Sequence, residues 1–519
     1  MLRGSFRRIV FLPFVGSDNI INFRSLLLKC LKIRKKRAHS HFVCLLRCLL
    51  SKRIIFFGSN FRYFRLNFNG RNNRMTRDLT QGKPAKVLLS FAIPIFFSTL
   101  FQQLYNITDS IIAGKFAGEQ ALAAIGASYP VTMIFMAIAV GSNSGCSVII
   151  SQLFGAGRTK DMKTAVSTSL ISLFAISVIL TVGALIFTPQ IMTAMRTPSD
   201  IYNDANTYFR IYIGGFTFLS VYNISTGVFT ALGDSKTPLW FLIGSSIINT
   251  ILDYLFVAVY GWGVEGAAWA TFIAQGAACL LLLWVLVIRM RSIESDRFDI
   301  FSFRMLGNLG RVSIQTILQS SFISVGNMLV QGLINSCGLS SVIAGYAAST
   351  KLNSFAITSV STASNAMAAF TAQNVGARRF DRVKQGYHSC ILIALLIASP
   401  FIIGYTFFSD FFVRLFLDNN SSALAVETGS TFLKMISPFY AVVTLKLMSD
   451  SVTRGAGAMK LFAISTFVDL ILRVAISYAL YPSLGVNGIA LSWPIGWVIG
   501  AVLAIMFYRF GNWRDHALT

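Results

Sequence analysis

Twelve runs of about 20 or more mostly apolar residues constrain this chain more than any other feature, because each is long enough to cross a bilayer. They lie near residues 87–113, 122–151, 163–187, 205–231, 238–260 and 265–288, and then near 310–336, 341–371, 385–408, 425–451, 459–481 and 486–508. Inside hydrocarbon no water is available to the backbone, so a run that spans must bond its own amides and carbonyls as a helix. The expected fold class is an all-α polytopic membrane protein with twelve transmembrane helices. Composition agrees: 54% of residues are hydrophobic and 13% are charged, where soluble domains carry about 25% charge.

The formal charge of +25 is not a nucleic-acid signal. Residues 1–74 hold 17 Lys/Arg against the single Asp18, so only +9 remains from Met75 onward. Within that basic extension, "SHFVCLLRCLLSKRIIFFG" is interrupted by Arg47, Lys52 and Arg53 and falls short of a span. Residues 1–74 are therefore expected to be a disordered arm or an over-extended start. In the rest of the chain, alternate loops and the two ends carry 20 Lys/Arg, from Arg77 and Lys83 through Arg158, Arg297, Arg379 and Arg454 to Arg514, whereas the opposite loops carry Lys115, Arg196 and Arg414. The positive-inside rule then places both termini in the cytoplasm of a multi-pass plasma-membrane protein. No CxxC pair, HExxH or GxxxxGK[ST] occurs, so disulfide, metallohydrolase and direct nucleotide chemistry are not expected.

The chain repeats itself. "QLFGAGRTKDMK" from Gln152 matches "QNVGARRFDRVK" from Gln373 at an offset of 221, and "GVEGAA" from Gly263 matches "GVNGIA" from Gly485 at 222. Gly233 and Lys236 of "GDSK" match Gly457 and Lys460 of "GAMK" at 224. A repeat of six spans re-enters the membrane in the same direction, so two six-helix lobes related by a pseudo-twofold axis along the membrane normal are expected. The corresponding boundaries are an amino-terminal lobe at 75–288, a cytoplasmic linker at 289–309, a carboxyl-terminal lobe at 310–508 and a tail at 509–519.

Asp109, in "YNITDSIIAG", is a carboxylate inside an apolar run, which costs at least ~2.5 kcal/mol unless it faces a cavity, a partner or an ion. Counting from the ends of the spans, Asp109 lies roughly 33 Å from Val87, Asp253 about 22 Å from Pro238 and Thr271 about 9 Å from Glu265. All three fall in the outer half of one lobe. Asn249 and Asp253 are four apart on one helix face, while Gln102, Asn106 and Asp109 line a face of the first span. The oxygens of Asp109, Asn249, Asp253 and Thr271 are thus expected to converge on a switchable cation site, because two like charges in a partly dry pocket need a proton or a metal cation between them. The plainer alternative is that they satisfy amide groups between helices.

In the second half, Asp469 and Arg473 occupy the positions of Asn249 and Asp253 at an offset of 220 and are read as a self-neutralising structural pair. Lys351 has no evident local partner; it either counters a carboxylate or repels cations. Gln315, Gln319, Asn327, Gln331 and Asn335 on the seventh span line a substrate cavity or bond neighbouring helices, and the sequence leaves both open.

From Met75 to about Arg509, "FQQLYNITDSIIAGKFAGEQALAAIG", "ALGDSKTP", "NTILDYLF" and "GWGVEGAAWAT" together resemble bacterial multidrug and toxic compound extrusion transporters. The resemblance implies an ion-coupled antiporter, not an enzyme, that exports small amphipathic, often cationic, organic compounds in exchange for protons or sodium. It implies no cofactor, no metal beyond a sodium ion at Asp109, Asn249, Asp253 and Thr271, and a monomer in the lipid bilayer. The seventh-span carboxylate of some relatives has no counterpart in "RVSIQTILQSSFISVGNMLVQGLINS", which puts the weight on the amino-terminal lobe. The alternatives are a lipid-linked sugar flippase of the same superfamily, which would want a cationic cavity, and, further off, a membrane-embedded transferase.

Overall fold

The apolar runs form helices, broken where the local chemistry requires it. A computed structural model of the chain describes residues 78–516 apart from 196, 200 and 418–421; the expectation for residues 1–74 lies outside these. The first half holds α1 (Pro84–Ile112), α2 (Glu119–Gly155), α3 (Thr159–Ile186), α4 (Thr188–Ala194), α5 (Tyr202–Gly214), α6 (Phe216–Ala231), α7 (Lys236–Asp253) and α8 (Gly263–Ser292). The second holds α9 (Phe303–Asn335), α10 (Ser340–Gly376), α11 (Phe380–Phe407), α12 (Ser409–Arg414), α13 (Ala423–Ile436), α14 (Tyr440–Gly455), α15 (Met459–Leu484) and α16 (Val486–Phe510).

The architecture is that of twelve membrane-spanning helices in two six-helix lobes. Among the described residues nine stretches are long and apolar enough to cross a membrane by length and composition alone. The other three spans, α5 with α6, α10 and α15, carry polar residues that the bundle shelters. Thus α10 buries Asn353, Thr362, Thr371, Gln373 and Asn374 against its neighbours. Lipid-facing positions look the opposite: Leu392, Leu396, Ile403 and Phe407 stand outward along α11.

Two features were not legible as single spans. The fourth span of each lobe is broken once, at Gly215 between α5 and α6 and at the 3-10 turn Ser437–Phe439 between α13 and α14. Pro438 lacks an N–H and cannot continue the ladder. Each lobe also adds a short helix after its third span, α4 and α12, starting at Thr188 and Ser409 and so 221 residues apart.

The pseudo-symmetry extends to the packing between lobes, where α2 lies against α9 and α10 against α1. Glycines let α2 and α9 touch: a Cβ at Gly141 would meet the backbone of Ile317, and one at Gly145 the backbone of Ser313. Towards the face that carries the linker between α8 and α9, the two matched repeats clasp each other. Gln152 Nε2 donates to the Gly455 carbonyl at 3.1 Å, and Gln373 Nε2 to the Ala231 carbonyl at 2.7 Å. In the same place a Cβ on Gly155 would overlap the Gln373 carbonyl, and one on Gly376 the Gln152 carbonyl. Gln373 also accepts from the Leu79 amide at 2.8 Å, and Arg379 and Arg382 donate to the carbonyls of Thr80 and Gly82 at 2.7 and 2.8 Å, so the segment before α1 is pinned to the other lobe.

Candidate functional site: a central cavity beside two carboxylates

Asp109 and Asp253 sit where α1 and α7 pack together, and both helices change register there. After Ile112 the chain makes the π-helical turn Ala113–Ala117, and after Asp253 the π-helical turn Tyr254–Val259; the two turns touch. Such turns leave one residue per turn outside the α ladder and recur at functional sites. Apolar periodicity does not reveal them.

Asp253 is fully buried and Asn249 nearly so. Asn249 Nδ2 donates to Thr271 Oγ1 at 3.3 Å, tying α7 to α8. Tyr105 reaches the same Thr271, and Asp109 is the charged group next to Asp253. Apart from the Asp109 carboxyl, which lies within hydrogen-bonding reach of Asp253, three acceptor oxygens have no protein donor among the described residues: Asn249 Oδ1, Asp253 Oδ1 and Asp253 Oδ2. Leaving such groups unpaired costs ~1–3 kcal/mol each, more when charged. A proton or a small oxygen-liking cation is the species this set fits.

Beside this cluster, between the lobes, lies a cavity of about 570 Å³. Tyr105, Asn249 and Thr271 belong both to the carboxylate cluster and to its wall, while Asp109 and Asp253 do not line it. Of the cavity residues expected from sequence, Gln102 and Gln319 line it, with Gln319 Nε2 donating to Thr466 Oγ1 at 2.7 Å. Asn106, Gln315, Asn327, Gln331 and Lys351 stand outside its wall in this structure: Gln331 bonds Asn335 on its own helix at 2.9 Å, and the Lys351 side chain is exposed. The single charged group among the described lining residues is Arg454. Its place in the charge pattern is that of a loop cation, whereas the last turn of α14 carries it to the cavity wall.

Asp469 and Arg473 pair at 3.7 Å, but not alone. Lys446 lies 2.9 Å from Asp450 and 3.7 Å from Asp469, and Ser465 Oγ donates to Asp450 at 2.5 Å. Gly496 and Gly500 on α16 make the room: a Cβ there would come 2.7 Å from Asp469 Oδ1 and 2.7 Å from Lys446 Cε. The Arg473 guanidinium lies over the Trp493 ring at 4.4 Å. Arg473 and Trp493 are 220 and 222 positions after Asp253 and Thr271, so the second lobe keeps a tethered cation where the first has its unpaired oxygens. Lys446 and Asp450 are four apart within an apolar span, and that spacing is the sequence signal for such a pair, one that the charge pattern of the loops does not include.

The MatE family model matches residues 94–255 and 316–479, one stretch in each lobe and together more than half of the chain. The chain belongs to the MatE family. Members are membrane transporters, not enzymes. The chain is 28% identical over 439 residues to a probable multidrug resistance protein, YpnP, of Bacillus subtilis, covering 84% of this chain and 97% of that one. It is 26% identical over 341 residues to an FAD transporter of Shewanella oneidensis, covering 64% and 74%. Among solved structures, a multidrug resistance MATE family transporter of the MOP superfamily in an outward-facing conformation superposes with a TM-score of 0.80 at 22% identity, covering 87% of this chain and all of that one. This MatE chain shares its fold with that transporter.

Proposed function

We propose that this MatE protein is a secondary active antiporter of the plasma membrane that exports small amphipathic, often cationic, organic compounds in exchange for protons or sodium ions, and acts as a monomer. The observation that carries the reading is the set of donor-less oxygens of Asn249 and Asp253 beside Asp109. The names of the relatives, multidrug resistance and FAD transport, agree with transport of organic compounds.

Coupling follows from shared walls. A cation taken up between Asp109 and Asp253 supplies the charge their oxygens lack and draws α1 towards α7. Tyr105, Asn249 and Thr271 move with those helices and also face the cavity, so the same event alters the substrate site. With the linker face assigned to the cytoplasm by its basic loops, the Gln152/Gln373 clasp closes the cytoplasmic side and the cavity opens outward, the state that releases substrate and loads the ion. The tethered cation at Arg473 leaves the second lobe without an equivalent coupling site. A flippase for lipid-linked sugars is disfavoured, since one arginine in the cavity falls short of the cationic cluster a pyrophosphate needs.

The test is transport in proteoliposomes with the proton and sodium gradients imposed separately. One gradient should drive uphill export of a fluorescent amphipathic dye by the parent and fail to do so in Asp253→Asn at equal abundance. Uphill export by Asp253→Asn at the parental rate would leave the residue with a structural role only.

A further inference from the structure

Asp109 and Asp253 both stay outside the cavity wall, and among the described lining residues the charge that a bound compound meets is Arg454. Its guanidinium is held at a definite angle: Nη2 donates to Asn365 Oδ1 at 3.0 Å, and the group lies over the Phe462 ring at 5.6 Å. Nε is buried and has no protein partner. Asn365, Arg454 and Phe462 form one continuous patch of the wall.

The carboxylate that acts on Arg454 at longer range, Asp450, is shared with other partners. Asp450, one turn back on α14, is bonded to Lys446 at 2.9 Å and to Ser465, while Asp469 lies 3.7 Å from both Lys446 and Arg473. No carboxylate lies within 4 Å of Arg454 among the described residues, so in this part of the lobe three cations, Lys446, Arg454 and Arg473, face two anions. A guanidinium on the cavity wall, held by Asn365, backed by an aromatic face and without a carboxylate partner within 4 Å, matches a carboxylate or phosphate joined to an apolar body.

We propose that Arg454 selects substrates: among amphipathic compounds of the size the cavity admits, it favours those that carry a carboxylate or phosphate, zwitterions included, over pure cations. This rests on the cavity being the substrate site of the proposed exporter, and it names the class of compound that site prefers.

Rhodamine B and its ethyl ester test it, because they share one cationic ring system and differ only in whether the carboxylate is free. Equilibrium binding to the purified full-length protein, followed by fluorescence anisotropy without any gradient, should be tighter for the free acid. Arg454→Gln should weaken the acid by at least ~10-fold, the loss of one charge-assisted contact, and leave the ester within about 2-fold. Arg454→Lys, which keeps the charge but loses the fork, should fall between for the acid and again spare the ester, and it decides the matter if Arg454→Gln does not fold. Equal binding of the two dyes by the parent, or an equal loss for both in either variant, would overturn the proposal. Because no ion gradient enters, failure here leaves the antiport reading standing, and failure of gradient-driven export leaves this charge preference standing.

Discussion

Replacing Gln373 by alanine removes the 2.7 Å bond to the Ala231 carbonyl and the 2.8 Å bond from the Leu79 amide at the clasp between the lobes. Gln373 is completely buried, so no water takes over at once. An orphaned buried partner costs about 1–3 kcal/mol, and where that cost falls on one of two states the ratio between them changes by roughly 5- to 150-fold. Gln152→Ala breaks the symmetry-related bond to Gly455 and leaves Leu79 alone, which separates the clasp from the docking of the segment before α1. The assay is a cysteine at Ser147 in the cavity wall, in a chain whose native cysteines are replaced, labelled with a membrane-impermeant maleimide from either side. In the parent, labelling should come from outside. Gln373→Ala and Gln152→Ala should both raise labelling from the cytoplasmic side by a factor in that range. Unchanged sidedness in both variants, with folding intact, would refute the clasp as the cytoplasmic closure.

Three further outcomes follow. Arg378 has φ +57° where the matching Gly157 of the first lobe has φ +70°, so Arg378→Gly should stabilise the protein by about 1 kcal/mol, read as a rise in thermal midpoint in detergent. Asp469→Asn leaves Lys446 and Arg473 with one buried carboxylate between them and should cost about 3–5 kcal/mol, far more than the same change at an exposed aspartate. Asp410, on the short helix α12, is hydrogen-bonded by Lys434 at 3.1 Å, which holds its carboxyl below the ordinary carboxylate range. A carboxyl held low contributes stability above its unfolded value and loses it as pH falls through the lowered one. The half-exposed pair makes this under about 1 kcal/mol, so Asp410→Asn should be slightly less stable than the parent at neutral pH, a gap that closes on acidification.

Much of this was written locally in the chain. Spans are read from apolar length, and Asp109, Asn249, Asp253 and Thr271 announce themselves because polar oxygens are costly in hydrocarbon and were at matching depth. The clasp was half visible: "QLFGAG" and "QNVGAR" marked the duplication, but that Gln and Gly of each copy meet across the lobes is a contact between residues more than 140 positions apart, which no local pattern encodes. The π-helical turns depend on how α1 and α7 pack, not on composition. Arg454 falls within the same charge pattern that orients the loops, and only the path of α14 separates a loop cation from one that faces the cavity. Lys351 and Asn327 show the converse, since being polar in a span did not bring them to the wall.

In the proposed antiporter one cation at the Asp109–Asp253 pair and the substrate exclude each other, and purified protein in weakly buffered detergent tests this without any transport assay. Antiport requires each ligand to weaken the other by the same factor. Saturating the parent with substrate should expel about one cation equivalent, seen as a pH drop if the ion is a proton or as bound sodium lost if it is sodium. Asp253→Asn should still bind the substrate and expel neither ion. Undiminished release from Asp253→Asn, or no release of either ion from the parent at saturating substrate, would rule out mutual exclusion at this pair.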